Sequence, residues 1–477
     1  MKKSITQNYI YNVIYQVLVL MAPLITAPYL ARVLGAEQMG IYSYVASTTS
    51  LISTIGLLGI YDYGVRQIAY CDFQQERAQT FWEIVIIRAC LLLPGLVIYG
   101  ICAAVSQYAE YFIYYALWII ASYVDLSWIY VGTENMKPTV LKNITAKVIC
   151  IIGIFAFVRD KDDLWKYLLL IAVATFLANM SLWTVVKQYI KYFRFNMRNL
   201  WKHLCGGMLL FIPQVTTTIY LQVDKIMLGC QARPEQVSFY DQSEKLINIP
   251  LAFIAVLSTV MMPRIASEYR KKNKDNIKVY IEKAMDSSML LAGPMVGGIV
   301  GIAAQLIPWY LGNEFTEAIN VIYVLSPMIV FNALAGISGK LYFTATNQIN
   351  ILIKSYSITA VLNVIINTIL IPYYGAVGAA VATVVSSVCA MAIQYYYLLK
   401  EVHVKMLKMK YLNYTVSSIV VCVVALFIGR EMGVSILTTA VQIFSGACIY
   451  FGIQWIFRDD TFIEVFRKIL KMIKIRQ

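Results

Sequence analysis

The feature that most constrains this chain is the recurrence of apolar stretches of about 20 residues, the length a helix needs to cross a bilayer. They run from near the first residues almost to the last. Fourteen are read: 9–29, 39–61, 81–103, 108–130, 139–158, 164–186, 204–229, 236–262, 284–311, 318–339, 350–371, 376–398, 411–429 and 434–456. Soluble domains carry about 25% charged residues, whereas this chain of 477 has 14% charged and 60% hydrophobic residues. No water-soluble core absorbs that much apolar surface, so the expected fold class is an all-α polytopic membrane protein. The first stretch follows Lys2 and Lys3 but is longer than a signal-peptide core and lacks a small-residue cleavage site, so it is kept as a crossing.

Lys and Arg accumulate in cytoplasmic loops, which fixes orientation. With the amino terminus inside, inner segments hold 28 of the 40, and the outer loops hold only Arg32, Arg159, Lys161, Arg233 and Arg430. A missed or extra helix would exchange inner and outer loops downstream and blur the contrast, so the number of crossings is expected to be even, with both termini cytoplasmic.

A net charge of +14 suggests nucleic acid in a soluble protein, but here it sits in inner loops such as Arg270, Lys271, Lys272 and Lys274. It reads as topology and contact with anionic lipid headgroups, and no nucleic acid is expected. None of the nine cysteines forms CxxC, and His203 and His403 both read as residues of basic inner loops, so neither a disulfide nor a metal site is indicated. There is no GxxxxGK[ST] loop, since Gly339 and Lys340 lack the flanking residues, and no catalytic signature or cofactor is expected.

The chain also repeats itself. Leu34, Gly35, Glu37, Gln38 and Tyr42 match Leu228, Gly229, Glu235, Gln236 and Tyr240, in the paired strings EQMGIY and EQVSFY. Tyr130, Asn135 and Lys142 recur as Tyr342, Asn347 and Lys354. The order holds across six helices, an even number, so the copies share one orientation, as in transporters with two lobes in parallel pseudo-repeat. The expected organisation is an N-terminal lobe over 1–190, a cytoplasmic linker over 191–203, a second six-helix lobe over 204–400, and two C-terminal helices with a basic cytoplasmic tail over 401–477.

Polar side chains inside spans face a bundle interior or a cavity. Steps of three and four residues place Asn8, Asn12 and Gln16 on one face of the first helix, Ser43, Ser47, Ser50 and Thr54 on one face of the second, and Gln214, Thr218, Gln222 and Lys225 on one face of the seventh. Helix packing explains the serines as readily. Arg88, Lys147 and Lys245 lie well inside their spans, where each cation costs about 2.5 to 3.5 kcal/mol. Glu83 is a partner available to Arg88, and Asp241 and Glu244 to Lys245; Lys147 has no carboxylate on its own helix, and Lys142 adds positive charge. The alternative to carboxylate partners is a hydrated, net-positive cavity suited to an anion. Asp224 and Lys225, toward the outer end of the seventh helix, read equally as a gate pair able to snorkel and as substrate contacts.

These residues resemble the bacterial polysaccharide flippases of the multidrug, oligosaccharidyl-lipid and polysaccharide exporter superfamily. The resemblance rests on Tyr29, Arg32, Leu34, Gly35, Gly40 and Tyr42; on Asp125, Trp128, Tyr130, Gly132 and Glu134; on Asp224, Lys225, Leu228 and Gly229; and on Gly375, Gly378, Ala379, Ala380 and Thr383. It implies two six-helix lobes around a central cavity and a role in moving an undecaprenyl-diphosphate-linked oligosaccharide from the inner to the outer leaflet of the bacterial plasma membrane. Arg88, Lys142, Lys147 and Lys245 become candidates for holding the diphosphate, and Asn12, Gln16, Gln214, Thr218, Asp224, Lys225 and Asp241 candidates for cavity polar or gate positions. Membrane lipids, a coupling H+ or Na+ and the polysaccharide polymerase machinery are the implied partners. Helices thirteen and fourteen depart from the twelve-helix members, and Ser238 stands where the repeat has Gly40.

The alternatives are an ion-coupled multidrug or small-cation exporter of the same superfamily, or a lipid II flippase. The first calls for an intramembrane carboxylate that the first helix lacks. A membrane-embedded glycosyltransferase or polymerase would expose a large acidic outer loop, and the outer loops here are short.

Overall fold

The computed structural model describes the backbone of residues 5–188, 196–406, 408–464 and 466–467, with the side chains of these residues except 5–20 and 213. Among them the secondary structure is helical. The chain divides into two compact units, Met1–Ser238 and Phe239–Gln477. Of the expected linker, residues 191–195 lie outside the described residues, and 197–203 form the first turns of a long helix.

The first unit contains α1 (Ile5–Gly56), α2 (Ile60–Tyr70), α3 (Gln74–Val105), α4 (Ala109–Val124), α5 (Ser127–Gly132), α6 (Met136–Phe157), α7 (Leu164–Ser181) and α8 (Met197–Gln231). The helix α9 (Pro234–Arg270) leads into the second unit, which adds α10 (Lys274–Tyr310), α11 (Ala318–Leu325), α12 (Met328–Gly336), α13 (Ile349–Glu401), α14 (Met409–Met432) and α15 (Ile436–Ile456).

By length and composition nine of the described helices are able to cross a membrane, or up to twelve when each of three bent pairs counts as one span. The bends are 48° between Met21–Gly56 and Ile60–Tyr70, 48° between Met197–Ile212 and Gln214–Gln231, and 43° between Ala318–Leu325 and Met328–Phe343. The two longest helices, α1 and α13, each hold enough residues for two crossings. At 1.5 Å per residue the 53 residues of α13 would extend about 80 Å, against a hydrocarbon core of about 30 Å. Each is interrupted where glycine alone adopts the needed backbone: Gly35 in α1 at φ 77°, and Gly375 in α13 at φ 53°. These interruptions fall in the short outer turns expected between the first two and the eleventh and twelfth apolar stretches.

One core of the first unit gathers Ile60, Phe81, Ile84, Trp128 and Ile129, joining α2, α3 and α5. In the second unit Ile281, Ile337, Leu341, Tyr395 and Leu398 join α10, the π-helical turn after α12, and α13. The repeat has a counterpart in bonding within each unit. Tyr130 donates to the carbonyl of Leu182 just past α7 at 2.9 Å, and Tyr342 donates to Glu401 at the end of α13 at 2.5 Å.

The last two helices are built into the second unit. Gly293, Gly297 and Gly301 place a small-residue stripe on α10, the arrangement that lets membrane helices approach closely. A Cβ at Gly297 would lie 2.2 Å from the Ser418 carbonyl oxygen on α14, and one at Gly301 would lie 2.6 Å from Ala425 Cβ. At one end of this contact Asp286 accepts from Lys408 at 3.0 Å and from the Tyr411 hydroxyl at 2.7 Å, and pairs with Lys410 at 2.5 Å.

Candidate functional site

The break between α4 and α5 organises the polar interior of the first unit. A helix end leaves its last four carbonyls without intrahelical partners, and in lipid no water is present to satisfy them. Here all four are met by side chains from neighbouring helices. Asn179 Nδ2 donates to Ala121 at 2.7 Å, Arg88 Nη2 to Ser122 at 2.6 Å, Arg88 Nε to Tyr123 at 2.9 Å, and Trp183 Nε1 to Val124 at 3.0 Å. The cation also lies at the negative end of the α4 dipole, where positive charge is favoured.

Asp125 follows immediately and starts α5, its Oδ1 accepting from the backbone N–H of Ser127 at 3.0 Å and from the Ser127 hydroxyl at 2.6 Å. The same oxygen accepts from Lys142 Nζ at 2.6 Å. Lys142 donates its other protons to Ser127 Oγ and Asn179 Oδ1, both at 2.7 Å, so its three N–H groups are all engaged. Asn179 therefore bridges, accepting from Lys142 through its oxygen and donating to Ala121 through its nitrogen.

Arg88 and Lys142 are thus brought together, with Asp125 within electrostatic reach of both. The expected pairing of Arg88 with Glu83 does not occur. Arg88 takes backbone carbonyls instead, while Glu83 bonds His203. Arg88 is 2% exposed, and its Nη1 is buried with no hydrogen-bond partner.

Lys147 lies apart from this cluster. On α6, Val140 and Ile154, one heptad before and after it and so close to the same face, are 3% and 4% exposed, yet Lys147 is exposed. The Lys147 side chain is thus open to its surroundings on a face that is buried two turns to either side, and Leu141, Val148 and Ile152 form an exposed apolar surface on the same helix. That surface borders a groove of about 480 Å³ between α6 and α7, lined among others by Leu141, Thr145, Ile149, Leu177 and the stem of Lys142.

On α8, Thr218 donates to the Gln214 carbonyl at 3.0 Å and lies 3.5 Å from Thr54 Oγ1 of α1; the Gln214 side-chain oxygen is buried without a partner. Asp224 and Lys225 are both buried, which replaces the expectation of side chains snorkelling to water. The side chains of Asn12 and Gln16 lie outside the described residues. In the second unit Lys245 pairs with Asp241 at 2.6 Å, the carboxylate partner expected one turn earlier. Asp241 is buried, whereas the Lys245 side chain is 42% exposed.

Asn179 and Ser127 had no place in the sequence reading, and His203, read there as a residue of a basic inner loop, is instead buried on α8. An asparagine inside the apolar stretch 164–186 was the available signal for the first. Among the described residues no group of His, Cys, Asp and Glu is arranged to hold a metal ion.

Comparison with known proteins gives two family matches. The family described as "Polysaccharide biosynthesis protein" matches residues 5–268, and that described as "Lipid II flippase MurJ" matches residues 140–451. A protein of Haloferax volcanii named "Probable low-salt glycan biosynthesis flippase Agl15" is 24% identical over 92% of this chain and 94% of its own length. One of Escherichia coli strain K12 named "Putative O-antigen transporter" is 23% identical over 71% of this chain and 83% of its own. The fold matches a solved structure of lipid II flippase MurJ in an inward closed conformation, with a TM-score of 0.73 at 16% identity, covering 95% of this chain and 99% of that one. An inward-facing multidrug resistance transporter of the MATE family matches with a TM-score of 0.63 at 13% identity, covering 79% of this chain and 92% of its own.

Proposed function

Because the chain belongs to the polysaccharide biosynthesis protein family, we propose that it is a flippase moving an undecaprenyl-diphosphate-linked oligosaccharide from the inner to the outer leaflet of the bacterial plasma membrane for surface polysaccharide assembly. It performs no covalent chemistry. Its chain crosses fourteen times, the twelve spans counted with bent pairs rising by two where Gly35 and Gly375 interrupt α1 and α13. Both termini are cytoplasmic, and the lobes run over 1–190 and 204–400.

The observation that carries the substrate class is the exposed Lys147 on α6, on a face whose Val140 and Ile154, one heptad to either side, are buried. A cation facing an opening in a membrane protein is suited to an anionic group, and a diphosphate supplies one. In the second unit Lys245 is a further partly exposed cation, while Arg88 and Lys142 are engaged at the α4–α5 break. The cycle is alternating access, with an inside-negative potential favouring outward movement of an anion by about 2.3 kcal/mol per charge per 100 mV. A polymerase acting on the outer leaflet is the implied consumer of the product.

The test replaces Lys147 and Lys245 singly with Gln and measures lipid-linked oligosaccharide retained on the cytoplasmic leaflet. Retention at normal protein abundance is the expected result. Export undiminished in both variants and in the double variant sinks the cationic-site reading.

A further inference from the structure

A second buried polar cluster in the first unit takes no part in the α4–α5 break. His203 on α8 is 8% exposed; its Nε2 lies 2.8 Å from Glu83 Oε2 on α3, and its Nδ1 lies 2.9 Å from the Tyr63 hydroxyl on α2. The second oxygen of Glu83 accepts from Gln79 Nε2 at 2.8 Å and from Asn199 Nδ2 at 2.9 Å. Among the described residues, the titratable groups hydrogen-bonded to His203 are Tyr63 from α2 and Glu83 from α3. The two amides beside Glu83, Gln79 and Asn199, are uncharged.

The hydrogen-bond arithmetic restricts what this cluster can hold. Two amide donors on Oε1 favour Glu83 as a carboxylate, which only accepts. His203 Nε2 must then carry a proton. Its Nδ1 accepts from the Tyr63 hydroxyl when the ring is neutral and donates to the same oxygen when the ring is charged, because a hydroxyl does either. Uptake of one proton therefore leaves each of these hydrogen bonds in place and changes only the charge.

The surroundings tie that charge to helix position. A Cβ at Gly206, one turn along α8, would lie 2.3 Å from the Tyr63 ring, so α8 and α2 approach as closely as a glycine permits. Each belongs to one of the 48° bent pairs.

We propose that Tyr63, Glu83 and His203 form a proton-binding site, and that its occupancy couples the cytoplasmic proton to the export cycle. The binding site stands on this geometry alone, whereas the coupling rests on the flippase reading. The chain has only two histidines, so His403→Gln leaves His203 as a single reporter for nuclear magnetic resonance of the full chain with isotope-labelled histidine. The expected result is a ring that takes up a proton as the pH is lowered and whose neutral form carries its proton on Nε2. In Glu83→Gln the side-chain amide donates to Nε2, and the neutral proton moves to Nδ1. A ring that keeps one charge throughout, or a wild-type neutral proton on Nδ1, overturns the site.

Coupling is read in proteoliposomes with an undecaprenyl-diphosphate-linked disaccharide as probe. An imposed pH gradient should change the wild-type rate severalfold, and His203→Gln, which keeps a donor toward Glu83 but takes no proton, should abolish that response. A gradient response of equal size in wild type and variant, or none in wild type, overturns the coupling. Absence of any lipid movement by wild type, with the resonance result intact, sinks the flippase reading and leaves the proton site standing.

Discussion

Arg88 donates Nε–H to the backbone carbonyl of Tyr123 across a 2.9 Å gap between α3 and α4. A cation that looked, from its depth in an apolar stretch, like a ligand for substrate is thereby engaged in closing a helix end. Removing it strands the carbonyls of Ser122 and Tyr123, each at about 1 to 3 kcal/mol. Arg88→Leu is therefore expected to lower the stability of the purified protein by about 2 to 5 kcal/mol. Lys147→Gln, at an exposed position, should remain within about 0.5 kcal/mol of wild type. Thermal or denaturant unfolding in detergent compares them, and equal stability of the two variants would contradict the assignment.

Lys142 and Asp125 give a second expectation. Breaking a buried ion pair by removing one partner is destabilising by about 3 to 5 kcal/mol, because the other charge is left uncompensated. Lys142→Met alone should fall in that range. The double variant Lys142→Met with Asp125→Asn should be less destabilised than the sum of the single changes, and strict additivity in this cycle would show that the pair is not coupled.

Adjacent glycines on α10 offer a matched comparison. A side chain at Gly297 meets the Ser418 carbonyl oxygen at 2.2 Å, whereas a Cβ at Gly298 has nothing within 4 Å. Gly297→Val is expected to pry α14 from α10 and reduce protease resistance of the C-terminal helix pair. Gly298→Val should behave as wild type.

The proposed fourteen crossings with cytoplasmic ends predict sidedness at single positions. In a cysteine-free background, a cysteine at Arg430 should react with a membrane-impermeant maleimide added to intact cells. One at Lys272 should react only after permeabilisation. Labelling of both from outside would refute the parity of crossings.

Several helix ends lie well outside the apolar stretches, with α3 starting at Gln74, α9 ending at Arg270 and α10 starting at Lys274, but the presence of the helices was legible because apolar length is a local property, and the two long helices are interrupted at glycines that lie between separately recognised stretches. The start of α8 was not. Residues 197–203 read as a basic loop, but Asn196 caps the helix by accepting from the Arg198 N–H at 3.0 Å, and the helix begins before the apolar run does. That extension carries His203 into the protein. The cluster at the α4–α5 break was only partly legible. Arg88 was visible as a misplaced charge, Lys142 as added positive charge beside Lys147 and Asp125 as a residue of the family resemblance, but their relation depends on Asn179 and on carbonyls freed by a break within one apolar stretch, which hydropathy averages over. The Asp241–Lys245 pair, one turn apart on one helix, was readable because its geometry is local.

The four capped carbonyls at the end of α4 also bear on motion. Straightening or flexing that corner would require Asn179, Arg88 and Trp183 to release their acceptors together, in a medium that offers no replacement. The capped corner thus ties the end of α4 to α3 and α7 and resists bending there. Whatever bending the cycle demands must be absorbed elsewhere in the chain.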